Sequence, residues 1–376
     1  MAAVGTATAA PPRPGGGPIA WVRENLFSSW TNAALTLLAL WLIYEAVAAV
    51  LEWAVLHATW QGRDGSDCTH AEAGACWPFV NAWFGQFVYG RYPEPERWRV
   101  NLTYVLAAAG LVPLMVPSVP HKLWSSVYLL AVFPVLAVIL LSGGVFGLRP
   151  IPTDLWGGLL VTLVIASTGI AAAFPIAIVL ALGRRSPMPI VRWLSIGFIE
   201  FVRGVPLITV LFMASVMLPL FLPEQWTIDK LVRALIMVAL FSAAYLAETI
   251  RGGLQAIPRG QFEAADALGL SYPHKMGLVV LPQALKLVIP GIVGSFISLF
   301  KDTSLVLIIG IFDLLGMAQT ASSSPTWLSP STPMTAYVVA GAIFWVFCFG
   351  MSRYSQMLER RLAAGGERVV AKAAVD

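Results

Sequence analysis

Long apolar runs alternate with short polar segments along the chain, and this pattern predicts its architecture. Runs of about 17 to 25 apolar residues are long enough to cross roughly 30 Å of hydrocarbon as a helix. They begin near Ala33, Leu102, Leu123, Leu155, Trp193, Leu231, Leu287 and Met334. None alternates at every second residue, as a strand of a membrane barrel would. We therefore predict an all-α membrane protein with about eight transmembrane helices.

Composition agrees with a membrane protein. Of 376 residues, 58% are hydrophobic and only 12% are charged, whereas a soluble chain of this length would form two or three domains with far more charge. The net charge of +4 says little by itself. Membrane lipid is the surrounding we expect, and we expect no nucleic acid as a partner.

The positions of Lys and Arg predict the topology, because loops on the cytoplasmic side carry more of them. If the N-terminus is cytoplasmic, eight spans place the following basic residues on the cytoplasmic side: Arg13, Arg23, Lys122, Arg184, Arg185, Arg192, Arg251, Arg259, Lys275, Lys286, Arg353, Arg360 and Arg361. The outer side receives the loop from about 54 to 101, a link at Arg149, the link 219–230, and the Lys- and Arg-free link 319–333. Both termini are predicted to be cytoplasmic.

The chain divides near residues 149–154. Residues 1–28 read as a flexible tail, 29–150 as three helices with a periplasmic loop (about 54–101), 151–362 as a five-helix core, and 363–376 as a second tail. The loop segment "CWPFVNAWFGQFVYGRYPEPERW" is rich in Trp and Tyr. Such residues favour the headgroup level, so we expect an interfacial segment rather than a ligand-binding loop.

Cysteines and histidines give no catalytic constellation. Cys68 and Cys76 lie in the outer loop, where a disulfide is possible but not required, and Cys348 is a small apolar residue of the last span. The four histidines, His57, His70, His121 and His274, lack metal-ligand spacing. A phosphate-binding loop of the type G-x-x-x-x-G-K-[ST] is absent from the sequence. We predict no catalytic residue and no metal site in this chain.

Charged residues inside spans are expensive and often functional. Glu200 and Arg203 are three residues apart in the fifth span and can pair on one helix face, with Gly204 and Pro206 marking a kink. A purely structural pair is the favoured interpretation there. Glu248 and Arg251 repeat the offset in the sixth span, where Arg251 can reach the interface. Glu45, in the first span, is expected to be satisfied by a neighbouring helix.

The segment "LFKDTSLVLIIG" places Lys301, Asp302, Thr303 and Ser304 about 21 Å along the seventh span. Four consecutive polar residues point around the whole helix and cannot all face one neighbour. Transporters often place a broken helix at this depth to line a cavity. We therefore expect a substrate pathway here, in preference to a buried structural ion pair, together with Arg203 and Glu248.

A polar segment of about 30 residues separates the sixth and seventh spans. Within it, "QFEAADALGL" has the period of a short amphipathic helix, with Phe262 and Ala265 on one face and Pro258 as its boundary. Such a helix could dock into a groove of another protein or could touch only its own bundle.

This segment resembles the EAA signature of permeases of binding-protein-dependent ABC importers. The matching residues are Glu263, Ala264, Ala265, Gly269, Leu281 and Pro282, with Val279 where that pattern prefers Ile. The stretches "AYLAETIRGGLQAIPRGQ", "FVRGVPL" and "KDTSL" resemble the amino-acid, or histidine permease, subfamily. The resemblance covers roughly residues 155 to 362. The three preceding spans resemble the longer permeases of general L-amino-acid systems.

The resemblance implies a permease subunit of the bacterial inner membrane that imports L-amino acids. It implies that a coupling helix at about 258–275 docks into a separate ATPase subunit, present in two copies, which holds ATP and Mg²⁺; this chain itself would hold no cofactor. It also implies a second, related permease in a heterodimer, and a periplasmic amino-acid-binding protein.

An ion-gradient-driven secondary transporter would also use intramembrane charges but gives no reason for the EAA helix. A membrane-embedded enzyme would need a reactive cluster that we do not find.

Overall fold

The computed structural model describes residues 17–373, apart from residues 71, 117, 118, 121, 222 and 224–227, and the side chains of 18 and 363–373 are not described. Arg13, His121, most of the first tail and part of the link 219–230 therefore lie outside the described residues. Within the described part the chain is helical, with isolated bridges and no strand.

The α-helices follow one another along the chain. They are α1 (Pro18–Asn25), α2 (Trp30–Leu51), α3 (Trp77–Tyr89), α4 (Arg97–Met115), α5 (Lys122–Val127), α6 (Phe133–Ser142), α7 (Gly158–Arg184), α8 (Pro189–Gly204), α9 (Leu207–Phe212), α10 (Leu218–Phe221), α11 (Lys230–Ala256), α12 (Arg259–Ala267), α13 (Tyr272–His274), α14 (Leu281–Leu287), α15 (Ile289–Asp302), α16 (Leu314–Ser322) and α17 (Thr332–Ala373). Turns of π-helix cover Glu52–Leu56, Tyr128–Val132, Met213–Met217 and Lys275–Val280, and 3₁₀ turns cover Gly65–Cys68, Glu94–Glu96, Thr153–Leu155, Thr303–Ile309 and Pro325–Trp327.

Seven described segments are long and apolar enough to cross a membrane: Trp30–Leu56, Glu94–Met115, Lys122–Ser142, Gly158–Arg184, Lys230–Ala256, Ile289–Ile309 and Thr332–Leu362. An eighth crossing forms if Pro189–Gly204 and Leu207–Phe221 count as one span, although these two segments meet at 102°. The prediction of about eight transmembrane helices is confirmed, and the fifth is broken.

The break lies at Val205 and Pro206. Proline has no backbone N–H to donate and also forces the preceding residue out of the helical region. Val205 accordingly adopts an extended conformation (φ −114°, ψ 136°), and α9 begins just after Pro206. Because α8 is sharply bent away from α9, counting residues along the span does not measure the depth of Arg203.

The helices α7 and α11 form the most extensive pair of the core. Both present small buried residues to each other and to their neighbours: Ala173, Ala177 and Ala181 on α7, and Ala243, Ala244 and Ala247 on α11. Small side chains let membrane helices approach closely, where dispersion contacts replace the hydrophobic effect as the cohesive force. This pair is the frame on which α8, α14, α15 and α16 are arranged.

On the opposite side of the bundle from α12, here called the α3 side, the loop between α2 and α4 is folded onto the core. Phe79 and Phe87 of α3 are buried, and Phe79 packs edge-on against Trp327. Cys68 and Cys76 form a disulfide beside them. The aromatic segment therefore contacts protein rather than only the membrane interface.

Two described segments near the ends of the chain are helical where the sequence predicts tails. Pro18–Asn25 form α1 inside the segment expected to be a flexible tail. At the other end, α17 continues past residue 362 to Ala373.

Candidate functional site

Five charged residues from three helices meet near the α12 side of the bundle; we call Arg184, Glu200, Arg203, Glu248 and Arg251 the arginine–glutamate cluster. Glu248, whose side chain is 15% exposed, lies at its centre. Its Oε2 accepts from Nε and Nη2 of Arg251 at 2.9 and 2.7 Å. Arg184 Nη1 lies 3.1 Å from Glu248 Oε1, and Arg203 Nη1 lies 3.9 Å from Oε2. One carboxylate therefore faces three guanidinium groups.

Glu200 completes the cluster from the α8 side. It accepts a hydrogen bond from Arg184 Nη1 at 2.7 Å. The predicted pairing of Glu200 with Arg203 is absent from the described contacts, because each turns to a different helix. Arg251 is likewise not simply reaching for the interface, since it binds Glu248. The cluster joins the ends of α7, α8 and α11.

A cavity of about 560 Å³ lies between α9, α11 and α15. Its apolar lining includes Leu207, Phe241, Leu299 and Leu305, and its polar lining consists of Ser242, Tyr245, Ser295, Ser298 and Asp302. The size is within the range of small-molecule sites, which typically combine apolar walls with a few polar groups. We call this space the Asp302 cavity, since Asp302 is the charged residue of the lining.

Only Asp302 among the four polar residues of the seventh span lines this cavity. The α-helix ends at Asp302 and the chain continues as 3₁₀ helix. Thr303 is buried and donates to the carbonyl of Phe300 at 2.8 Å, and Ser304 donates to the carbonyl of Lys301 at 2.9 Å. Lys301 is exposed outside the cavity. Within the described chain, the carboxylate of Asp302 has neither a hydrogen bond nor an ion pair.

Tyr245 connects the two sites. Its ring lines the cavity, and the Arg203 guanidinium lies 5.5 Å from the ring centre. Its hydroxyl donates a long hydrogen bond of 3.4 Å to the Arg203 carbonyl. The sequence indicates no functional role for Tyr245, and for Arg184 it indicates only a cytoplasmic position. The spacing of Ser242, Tyr245 and Glu248 at every third residue of α11 could have indicated one polar helix face.

The EAA segment forms α12 and the turn after it. Phe262 is half-buried and Ala265 is buried, whereas Glu263 and Ala264 are exposed. The turn provides hydrogen bonds to the last carbonyl groups of the helix. Gly269 N–H donates to the Asp266 carbonyl and Leu270 N–H donates to the Ala265 carbonyl, as in a Schellman motif. Gly269 has φ +68°, a left-handed conformation that disfavours a side chain.

Further contacts fix this segment. Lys275 pairs with Asp266, and Gln283 of α14 donates to Gln261 at 3.0 Å. Beyond the π-helical turn, Leu281 is half-buried and Pro282, exposed, stands in the first turn of α14.

Arg185 lies over the Phe262 ring at 5.8 Å, and its neighbour Arg184 belongs to the arginine–glutamate cluster. Two consecutive arginines thus connect α12 with that cluster.

Asp313 is a buried carboxylate on the α3 side that the sequence did not indicate. It caps α16, accepting from the N–H groups of Gly316 at 2.9 Å and Leu315 at 3.3 Å. Burial raises its pKa to about 6, against the lowering effect of these hydrogen bonds. Thr162 of α7 accepts from the neighbouring Leu314 N–H at 3.1 Å, and this hydrogen bond helps to fix the start of α16 on α7.

Seven long apolar helices and one bent helix pair in the described chain define the class as a polytopic membrane protein. Residues 173–364 match the family described as binding-protein-dependent transport system inner membrane component. The chain belongs to this family and is a multi-pass inner-membrane protein. Membership supports the ABC interpretation over that of a secondary transporter.

Curated relatives align over different shares of the chain. The inner membrane amino-acid ABC transporter permease protein YhdY of Escherichia coli is 54% identical over 94% of this chain and 97% of its own length. The glutamate/glutamine/aspartate/asparagine transport system permease protein BztC of Rhodobacter capsulatus is 40% identical over 92% and 94%. The L-cystine transport system permease protein TcyB of Bacillus subtilis is 32% identical over 57% and 88%.

A solved structure described as an amino acid ABC transporter with histidines is 30% identical. It covers 54% of this chain and 92% of its own, with a TM-score of 0.48.

Proposed function

We propose that this chain is the permease subunit of an ATP-driven importer that carries L-amino acids across the bacterial inner membrane. The observation that carries the proposal is Asp302, a carboxylate without a partner in the described chain that faces a cavity large enough for an amino acid. Relatives aligned over more than nine-tenths of the chain are named as amino-acid permeases, which supports this substrate class.

Recognition follows from the common chemistry of α-amino acids. The Asp302 carboxylate would accept hydrogen bonds from the substrate ammonium group, and such charge-assisted bonds are among the strongest available. Hydroxyl groups of Ser242 and Ser298 can donate to the substrate carboxylate, whereas the Ser295 hydroxyl already donates to the Gly291 carbonyl at 2.9 Å. Arg203, beside Tyr245, would attract that carboxylate towards the α12 side. The apolar wall would accommodate the side chain.

Energy for transport would come from a separate ATPase subunit, in two copies, that binds ATP and Mg²⁺. The exposed part of α12, with Glu263 and Ala264, is the surface we assign to it, and Glu263 would pair with a basic or polar group of that subunit. With this assignment the α12 side and both termini would lie in the cytoplasm, where the positions of Lys and Arg in the sequence predict them. A periplasmic amino-acid-binding protein would deliver the substrate on the α3 side, and a second, related permease would complete a heterodimer.

A continuous set of contacts can transmit movement from α12 to the cavity. Phe262 on α12 touches Arg185, and the adjacent Arg184 binds Glu200 of α8 and Glu248 of α11. Beyond its bend, α8 leads directly into Leu207, the first residue of α9 and part of the cavity lining. A shift of α12 driven by the ATPase would therefore tilt α8 and change the cavity.

Co-purification and uptake test the coupling role. We expect Glu263→Arg to abolish co-purification of the ATPase and ATP-driven uptake, because it reverses an exposed charge at the proposed contact. The matched control is Glu24→Arg, the same change at an exposed acid of α1. Normal ATPase binding and uptake by the Glu263 variant would show that α12 is not the coupling helix.

The cavity is tested separately with Asp302→Asn and Lys301→Met. We expect the first to impair uptake and the second to leave it largely intact, because only Asp302 lines the cavity. If neither change alters uptake, the polar residues of the seventh span are structural.

A further inference from the structure

The first span is isolated from the rest of the described chain. No residue of α2 is buried, and its apolar window is 0% buried, whereas the other straight spans range from 6% to 44%. Its attachments lie near its two ends. At the α3 side, the carbonyl groups of Trp53, Ala54 and His57 accept from Ala75, Trp77 and Gly74 at 2.8 to 2.9 Å. Near the other end, Thr36 donates to the Leu26 carbonyl at 2.8 Å.

Glu45 lies in the middle of this isolated span. It is 15 residues beyond Trp30, or about 22 Å along the helix at 1.5 Å per residue, and its side chain is exposed. It makes no hydrogen bond or ion pair with any described residue. No helix of the described chain therefore satisfies Glu45. A carboxylate at this depth is costly against lipid tails and calls for a polar or charged partner.

The helix face around Glu45 suits close contact with another helix. Leu38, Trp41 and Leu42 precede it on the same face at helical spacing and are 50%, 57% and 53% exposed. Ala48 and Ala49 follow it, and small side chains next to a polar one let two membrane helices approach closely. We call these residues, together with Glu45, the Glu45 face.

We propose that the Glu45 face binds a transmembrane helix of a different subunit of the transporter, which places a lysine or arginine against Glu45. Charge complementarity selects this partner. Lipid tails offer no cation, and two copies of α2 packed about a twofold axis would set one Glu45 carboxylate against the other. The proposal rests on the proposed function only in assuming that the chain works within a complex of several membrane subunits.

The α3-side attachments of the first span add to this picture. They join this span to the segment that carries Cys76 and α3, and α3 packs on α7, α16 and α17 of the core. A helix bound to the Glu45 face would thus be held next to the permease core without replacing any core contact. Relatives that align over more than nine-tenths of the chain share most of the region before the core, whereas the TcyB alignment covers 57%.

Photo-crosslinking in native membranes tests the proposal, using the complete transporter and a benzoylphenylalanine residue at one α2 position at a time. Leu38 and Leu42 lie on the Glu45 face, and Ile43 and Val47 lie on the opposite face. Exposures are matched, at 50% and 53% against 58% and 51%.

We expect adducts with a different membrane subunit from Leu38 and Leu42, and about five-fold less from Ile43 and Val47. Glu45→Gln should lower the adduct about five-fold, in keeping with the loss of one interhelical contact. Glu45→Lys should abolish it.

Equal adducts from both faces, adducts with a second copy of this chain, or lipid adducts alone would overturn the proposal. The amount of each variant in the membrane and its Cys68–Cys76 disulfide report whether the variant folds. If Glu45→Lys does not accumulate, the loss of adduct in the conservative Glu45→Gln variant decides the proposal. The crosslink is read without ATP or uptake. Failure of ATPase co-purification would therefore contradict the proposed function while leaving this result independent.

Discussion

Glu248 and Asp302 are both carboxylates within predicted spans of the core, yet their surroundings are opposite. Glu248 lies among three guanidinium groups at 2.7 to 3.9 Å. Asp302 has no ion pair in the described chain and faces a cavity of about 560 Å³ lined by hydroxyl and apolar groups. The Glu248 charge is balanced by arginines of the same chain, whereas the Asp302 charge can pair with a ligand that enters the cavity.

The difference separates two roles that the sequence groups together. A charge that is already paired holds helices in place, and removing it leaves its partners uncompensated. An unpaired charge beside a cavity does little for the fold and can bind a ligand. Substitution at Glu248 should therefore damage the protein, whereas substitution at Asp302 should damage only its function.

The largest effect is expected from Glu248→Ala. Three arginines would lose their shared acceptor, and breaking a largely buried ion pair destabilises a protein by about 3 kcal/mol. Thermal unfolding of the purified chain in detergent should show a midpoint well below that of the wild type. Glu200→Gln is the control: Glu200 is 53% exposed and pairs with one arginine, so its loss should cost about 1 kcal/mol or less. Equal losses for the two variants would contradict the central place of Glu248.

Asp302→Asn should reduce uptake while leaving stability unchanged. Loss of a charge-assisted hydrogen bond to the substrate, about 2 kcal/mol, corresponds to roughly 30-fold in KM for uptake. Initial rates in proteoliposomes give this value, with Asp154→Asn, an exposed aspartate of the link before α7, as the control. A lowered unfolding temperature with a normal KM would assign Asp302 to the fold instead.

Asp313 extends the comparison to a carboxylate outside the spans. Burial raises its pKa to about 6 from 3.8, so the folded state holds the proton more tightly than the unfolded state. Its stabilising contribution is complete below pH 3.8 and is lost as the pH rises through about 6. The wild-type chain should therefore lose on the order of 2 kcal/mol between pH 4 and 7 relative to Asp313→Asn. Parallel stability curves for the two proteins over this range would refute the assignment.

Tyr245→Leu should have the smallest effect of the four changes. It removes the ring beside Arg203, an interaction of about 1 kcal/mol at a partly exposed site, so uptake should fall about five-fold. Phe241→Leu, which changes another aromatic wall of the same cavity without an arginine neighbour, is the matched control. A five-fold loss in both variants would indicate cavity shape rather than the link to Arg203.

The sequence predicts the spans well because hydrophobicity over about 20 residues is a local property. It also indicates α12, whose helical period, Pro258 boundary and Gly269 are all adjacent in the chain. The break in the fifth span follows from Gly204 and Pro206, although its angle of 102° does not. These features depend on short-range chemistry that can be read directly.

Ion pairing could not be read in this way, because it depends on the rotation and position of separate helices. Glu200 and Arg203 are three residues apart, yet they bind Arg184 and approach Glu248 on other helices. Only Asp302 of the four consecutive polar residues in the seventh span lines the cavity, and which of the four does so depends on how α15 is rotated against α9 and α11. Asp313 is buried by packing on the α3 side, and no pattern in the sequence predicts this packing.

Protection of a thiol placed in the Asp302 cavity tests most directly whether this cavity binds amino acids. Ser298→Cys in a Cys348→Ser background gives one reactive cysteine in the lining beside the disulfide-bonded pair. The rate of its labelling by a small maleimide is measured in the assembled transporter with and without a mixture of L-amino acids. We expect amino acids to slow labelling and Asp302→Asn to remove this protection. Labelling at the same rate with and without amino acids would contradict it.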